Sequence, residues 1–208
     1  VSKDDMITSI ALDKNGDMHA AIYKSGIYGL DKIGWKLNVN IKQHYIKKFL
    51  FSNQSSGTIN FISEQGLFQC NANYLKKITL PELYPEASEL TGIVQDHHKN
   101  LWIGTNKGAF LINGQSIKYF NENNGFTNER VLDLYCDEDN RIWFGTDGSG
   151  LYSYDNDDFV IYDKSQGLNN EIVMSLAKDS KGQMYWGTNG GGLLSFANNK
   201  IKQEIIYS

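Results

Sequence analysis

The sequence predicts an all-β fold, a five-bladed β-propeller with four antiparallel strands per blade. Three observations carry this. A segment of apolar, aromatic, Gly and Thr residues recurs as Leu101-Trp102-Ile103-Gly104-Thr105, Ile142-Trp143-Phe144-Gly145-Thr146 and Met184-Tyr185-Trp186-Gly187-Thr188. With the glycine as anchor, the same frame falls on Ala21 and Ile62, so that anchors 21, 62, 104, 145 and 187 lie 41, 42, 41 and 42 residues apart. A period of that length is one four-stranded propeller blade. Five such repeats account for all 208 residues. The blades are expected at 1–42, 43–84, 85–125, 126–167 and 168–208, as one domain.

Each repeat carries the same punctuation. An apolar strand comes first, at 7–12, 49–52, 90–94, 131–135 and 173–177. It runs into a tight turn opened by Asp13, Asp96, Asp137 or Asp179, with Gln54 in the second repeat. Aspartate opens such turns because its carboxylate accepts N–H groups two residues on. The anchor segment is the second strand. A short loop then ends at Gly26, Gly66, Gly108, Gly150 or Gly192. A third strand, a polar hairpin such as Asp155-Asn156-Asp157-Asp158, and a fourth strand at 159–162 complete the unit. The second repeat lacks the turn Asp, the Trp, the Gly and the Thr; its strand pattern keeps it as a blade. Pro81 and Pro85 mark a longer connection after it. No segment has a helical period.

Composition excludes several functions. The net charge is −4, there is no basic block, and the two arginines are Arg130 and Arg141. Nucleic acid demands clustered positive charge and is excluded as a partner. The scarcity of arginine also argues against a site that grips an anion in a guanidinium fork. No apolar run approaches the roughly 18 residues of a membrane span, so this segment is not expected to insert in a membrane. No cofactor is implied. Cys70 and Cys136 sit at different offsets in blades that are not neighbours and are expected as free thiols.

The run Asn124-Gly125-Phe126-Thr127-Asn128-Glu129-Arg130-Val131, leading through Asp137 to Trp143-Phe144-Gly145-Thr146 and Gly150-Leu151, resembles the two-component regulator propeller repeat. So does Gly167-Leu168-Asn169-Asn170-Glu171-Ile172-Val173, leading to Asp179 and Gly187-Thr188. Blades 3, 4 and 5 fit best, and blade 2 least. The resemblance implies a bacterial sensor region, periplasmic or extracellular, of the kind joined to hybrid histidine kinases and responsive to glycan fragments.

Repetition at fixed offsets assigns most conspicuous residues to structure. Trp102, Trp143 and Tyr185 are expected as packing between blades rather than sugar platforms. The anchor glycines are expected to let neighbouring blades approach. The turn aspartates lack the six to eight oxygens of a calcium site. His97 and His98 have no third metal ligand at suitable spacing, and no metal site is expected.

Candidate ligand-binding residues are those where the copies differ, on the face formed by the loops between second and third strands and by the inter-blade loops. They are Tyr23, Glu64, Asn106, Asp147 and Asn189, two residues past each anchor, with Asn128 and Asn170. Their amides and carboxylates suit sugar hydroxyls, an oligosaccharide, a small polar ligand or a peptide backbone. No catalytic residue is assigned. An enzyme, a glycoside hydrolase or lyase, would have to build its carboxylate pair on Asp133 with Glu129, Glu171 or Asp5. Asp133 has Ser9, Leu50, Gly92 and Ser175 as its expected equivalents. A scaffold that docks a protein partner or an adjoining signalling domain is the third reading. Finally, strands at 1–12 and 200–207 are expected in neighbouring blades, closing the ring.

Overall fold

The computed structural model describes residues 6–52, 57–81, 88–127, 129–197 and 200–205. Among them are twenty strands in five antiparallel four-stranded sheets, and no α-helix. Blade 1 holds β1 (Ile7–Leu12), β2 (Met18–Ile22), β3 (Gly26–Leu30) and β4 (Trp35–Asn40). Blade 2 holds β5 (Ile46–Phe51), β6 (Ile59–Ser63), β7 (Gly66–Cys70) and β8 (Leu75–Ile78). Blade 3 holds β9 (Leu90–Gln95), β10 (Leu101–Thr105), β11 (Ala109–Asn113) and β12 (Ser116–Phe120). Blade 4 holds β13 (Val131–Cys136), β14 (Ile142–Thr146), β15 (Leu151–Asp155) and β16 (Asp158–Tyr162). Blade 5 holds β17 (Val173–Lys178), β18 (Met184–Thr188), β19 (Gly192–Ala197) and β20 (Lys200–Ile205). Strands pair in chain order within every sheet.

The first strands line the axis: β1 packs beside β5, β5 beside β9, β9 beside β13 and β13 beside β17. Every second strand spans the three residues before its anchor and the one after it, in blade 2 as in the others. All five residues of β6, β10 and β14 are buried, because a neighbouring blade covers each side of the sheet. That double burial explains why these strands read as apolar runs rather than as alternations.

The turn aspartate and the second-strand aromatic form one device. In blade 4, Asp137 Oδ1 accepts the N–H groups of Asp139 (3.1 Å) and Arg141 (2.8 Å), and Oδ2 accepts the indole N–H of Trp143 (2.8 Å). Blade 3 repeats it with Asp96, Asn100 and Trp102. In blade 5, Tyr185 takes the place of the indole, 3.5 Å from Asp179. The Trp faces pack across blades: Trp102 lies against Phe144 and Tyr154, and Trp143 against Trp186 and Phe196. The anchor glycines make room for this. A Cβ on Gly104 would lie 2.8 Å from Val131 and 2.7 Å from Leu134, both in the next blade. A Cβ on Gly145 would lie 2.5 Å from the Val173 carbonyl oxygen, again in the next blade.

Four hydrophobic clusters fill the spaces between blades 1 and 2, 2 and 3, 3 and 4, and 4 and 5. Among the described residues, none lies between blades 5 and 1, and no strand of blade 5 packs beside a strand of blade 1 as the other neighbours do. This corrects the expected closure. The stack curves as a propeller, but among the described residues its first and last blades are not packed as neighbours.

Candidate functional site

The central axis carries a charged crossing. Asp133 projects from β13 with Oδ1 2.6 Å from Lys48 Nζ, while Oδ2 accepts the Leu176 N–H at 2.9 Å. Lys48 belongs to β5, two blades away. The blade between them contributes Gly92 at the same register, opposite Gly104, just as Asp133 stands opposite Gly145 and Lys48 opposite Ile62. The blade 2 equivalent of Asp133 is therefore Lys48, not Leu50 as the sequence suggested. The turn between β5 and β6 is two residues longer than the other first hairpins, and this displaces the frame.

Asp133, on which an enzyme would have to build its carboxylate pair, has the Lys48 ammonium as its partner. Glu171 is paired instead with Lys164 at 2.9 Å, and its carbonyl accepts the N–H groups of Gly148 and Gly150. Glu129 is exposed; its N–H is held by Thr127 Oγ1 and its carbonyl accepts Gly108 N–H. Asp5 lies outside the described residues.

A second ionic cluster ties three blades together near the mouth. Arg130 grips Glu89 through both Nη atoms (2.7 and 3.0 Å), and Lys47 Nζ adds a bond of 2.8 Å. Arginine scarcity argued against an arginine fork, yet Arg130 makes one with a carboxylate of its own chain. The Arg130 guanidinium, then the Lys47 ammonium, hold the Glu89 carboxyl at about 2, against its ordinary 4.5. A depressed carboxylate stabilises the fold fully above pH 4.5, and that contribution is lost as pH falls toward 2. Urea unfolding at pH 5 and at pH 2.5 tests this. The loss of stability between the two is expected to be smaller in Glu89→Gln than in the wild type. An equal loss in both would sink the assignment.

The proposed ring residues fall at equivalent loop positions. The N–H groups of Tyr23, Asn106, Asp147 and Asn189 donate to the carbonyls of Met6, Glu89, Arg130 and Ile172, extending the β-ladder past each bulge. Thr105, Thr146 and Thr188 close the same loops by donating to Gly108, Gly150 and Gly192 carbonyls. Asn106 uses its side-chain oxygen internally, on Glu89 N–H at 2.9 Å. Asn170 is engaged at both ends of its amide, with the Ile172 N–H (2.8 Å) and the Asn189 carbonyl (2.6 Å). Glu64, Asp147 and Asn189 are exposed. Asn128 lies outside the described residues.

Tyr23 and Glu64 share a cleft of about 450 Å³ between blades 1 and 2, lined also by Met6, Lys24, Lys42, Gln43, Tyr45 and Gln65. Tyr23 and Tyr45 meet edge to face at 5.4 Å, and the Lys24 ammonium stands 5.0 Å over the Tyr23 ring. Two rings set at an angle, flanked by a carboxylate, two amides and two ammonium groups, offer stacking and hydrogen bonding together. His44 contributes nothing here. It is buried against Phe61 and Phe68, and burial lowers its pKa. Sequence reasoning missed Lys24, Lys42, Gln43 and Gln65, which lie in ordinary polar loop runs.

Elsewhere, Cys70 and Cys136 are free thiols, pushed up by burial to about 12 and about 11. Among the described residues no group of three His, Cys, Asp or Glu side chains is placed to hold a metal ion. Among the described residues no helix is long and apolar enough to cross a membrane.

Comparison with known proteins adds to this geometry. Residues 125–148 match the family model described as two component regulator propeller. No curated protein sequence matches. Among solved structures, the chain is similar to the extracellular domain of a hybrid two-component system from B. thetaiotaomicron, at 20% identity and a TM-score of 0.68. That match covers 90% of this chain and 27% of the other, so this chain spans about a quarter of that domain. It is also similar to a catalytically inactive virginiamycin B lyase from Staphylococcus aureus with quinupristin, at 14% identity and a TM-score of 0.78, covering 100% of this chain and 72% of the lyase. A third similarity is to YCF48 bound to D1 peptide, at 13% identity and a TM-score of 0.69, covering 99% and 69%. At these identities the structures establish the fold alone.

Proposed function

Because the chain carries a two-component regulator propeller repeat, we propose that it is a non-catalytic recognition or sensor module that works outside the cytoplasm. The ligand is a small polar molecule or a glycan, held on the face that carries Tyr23, Glu64, Asp147 and Asn189. The observation that carries the ligand class is the cleft that pairs Tyr23 and Tyr45 beside Glu64. Aromatic rings cover the apolar face of a sugar, while carboxylate and amide groups take its hydroxyls. The lyase likeness does not alter it, since Asp133 is tied to Lys48 and to a backbone N–H. Binding would act on an adjoining signalling domain by favouring one of its arrangements, which requires differential affinity for the two.

An oligosaccharide array followed by titration calorimetry tests the proposal. Tyr23→Ala is expected to weaken a bound glycan about tenfold or more, the size of one lost stacking contact. The unfolding temperature should stay near that of the wild type, because Tyr23 is partly exposed. No binding across the array, or a Tyr23→Ala variant that binds normally, would count against the cleft. In that case protein docking on the same face becomes the better reading.

A further inference from the structure

Blade 2 departs from the other blades at the place of the second-strand aromatic. Two residues before each anchor stand His19, Asn60, Trp102, Trp143 and Tyr185. Trp102 and Trp143 fill the space toward the next blade, against Tyr154 at 4.9 Å and Phe196 at 5.4 Å. Those two partners pair with Ile142 and Met184, the first residues of β14 and β18. At the same register between blades 2 and 3 the facing pair is Asn60 and Ile112, the latter paired with Leu101. Both side chains are smaller, and a cleft of about 370 Å³ opens there. Its rim includes Lys99 and Gly114, in the β9–β10 and β11–β12 turns. It therefore lies at the opposite ends of the strands from the loop that carries Tyr23.

A chain of hydrogen bonds fixes the polar groups of this cleft. Asn60, Gln69 and Lys76 form one cross-strand row over β6, β7 and β8. The Tyr74 hydroxyl donates to Gln69 Oε1 (3.3 Å), and Gln69 Nε2 donates to Asn60 Oδ1 (3.1 Å). The Asn60 oxygen is thereby used. Its NH2 group has no hydrogen-bond partner among the described residues, although Asn60 is only 1% exposed and lines the cleft. A buried donor left open is costly, and an acceptor that enters the cleft removes that cost. Lys76 of blade 2 and Lys99 of blade 3 add two ammonium groups. Lys47, Lys48, Lys164, Lys178 and Lys202 are taken up in ion pairs; Lys76 and Lys99 are not. The cleft of about 560 Å³ at the same end between blades 4 and 5 carries four carboxylates, Asp137, Glu138, Asp139 and Asp179. The cleft between blades 2 and 3 carries none among the described residues.

We infer that the cleft between blades 2 and 3 binds a small oxyanion ester, a sugar carrying a phosphate or sulfate group. Asn60, Lys76 and Lys99 present donors alone, which suits a ligand group made only of acceptors. The two ammonium groups neutralise the anion as point charges, so no arginine fork is needed, and the Asn60 NH2 donates to one of its oxygens. Leu101 and Ile112, each 7% exposed, form an apolar wall for the C–H face of the sugar ring. The volume is at the low end for ligand pockets, the size for one ring rather than a chain. The buried position of Asn60 places this donor beyond the reach of a flat lipid surface.

NMR titration of the unmodified chain at low salt tests this, with glucose 6-phosphate and glucose 6-sulfate as probes. Glucose, inorganic phosphate and vesicles of phosphatidic acid are the comparisons. At least one ester is expected to shift the Asn60 side-chain NH2 resonances, with glucose silent at the same concentration. Its affinity should fall about fivefold in Lys76→Gln and in Lys99→Gln, the size of one exposed ion pair, and should weaken as salt rises. Both lysines are exposed, so these variants should keep the wild-type unfolding temperature. No shift at Asn60 with either ester, or an equal shift with glucose, overturns the inference. Ester binding that is unchanged in both variants overturns it too, as does an ester that shifts Gln65 in the Tyr23 cleft and leaves Asn60 unmoved. Inorganic phosphate bound as tightly as the esters would make the free ion the ligand. Vesicle binding with no response to soluble esters would make a membrane the partner. Either result rejects the sugar ester.

Discussion

Asp137→Ala is expected to cost about 3 kcal/mol of stability, the range for hydrogen bonds from buried donors to a charged acceptor. Both carboxylate oxygens are in use. Oδ1 holds the turn through the Asp139 and Arg141 N–H groups, and Oδ2 satisfies the Trp143 indole. Asp137 and Trp143 are both buried, so truncation leaves an indole N–H with no water in reach. The blade 1 counterpart calibrates the number. Asp13 accepts the N–H groups of Asn15 and Asp17 near solvent, and the ring opposite is His19, with Nε2 3.5 Å away. Asp13→Ala should therefore cost clearly less than Asp137→Ala, since an exposed turn carboxylate holds only its N–H groups. Urea unfolding of the two variants measures the difference. Equal losses would mean that the Asp–Trp contact adds nothing beyond the turn.

Gly145→Ala is expected to destabilise by about 2 kcal/mol, and Gly187→Ala by less than about 0.5 kcal/mol. The two glycines occupy one register of one repeat. At Gly145 the new methyl would meet a backbone oxygen, Val173 O at 2.5 Å, and the fifth blade would have to shift as a body. At Gly187 it would meet the Ser175 hydroxyl, which turns away by rotating χ1. A larger loss at Gly187 than at Gly145 would contradict these contacts.

Much of the fold was legible in the sequence. The anchor spacing placed all five second strands, even in blade 2, where Ile62 stands for the glycine. It did so because that strand is buried on both sides and tolerates little variation. The turn aspartates were legible as structural for the same reason: they recur. Register in the first strand of blade 2 was not legible. The longer turn before β6 hides the fact that Lys48, not Leu50, meets Asp133 across the axis. Nor was the union of Lys47, Glu89 and Arg130, which lie about one repeat apart and form no local pattern. Tyr23 and Glu64 were singled out because they break the repeat, and they share a cleft. Asn170 was singled out as a binding residue too, yet its amide is engaged by the Ile172 N–H of its own loop and the Asn189 carbonyl of the next.

The unclosed stack has a consequence for how the molecule comes apart. A closed ring gives each unit two neighbours, so none is first to leave. A linear stack gives its end units one neighbour each, and its energetics approach a chain of nearest-neighbour couplings. Blades 2, 3 and 4 are clamped from both sides and laced by Lys47, Glu89, Arg130, Lys48 and Asp133. Among the described residues, blades 1 and 5 each pack against one neighbouring blade. The cleft that holds Tyr23 straddles the boundary between blade 1 and that laced interior. A molecule bound in that cleft would grip both sides of the boundary and slow the loss of the first blade.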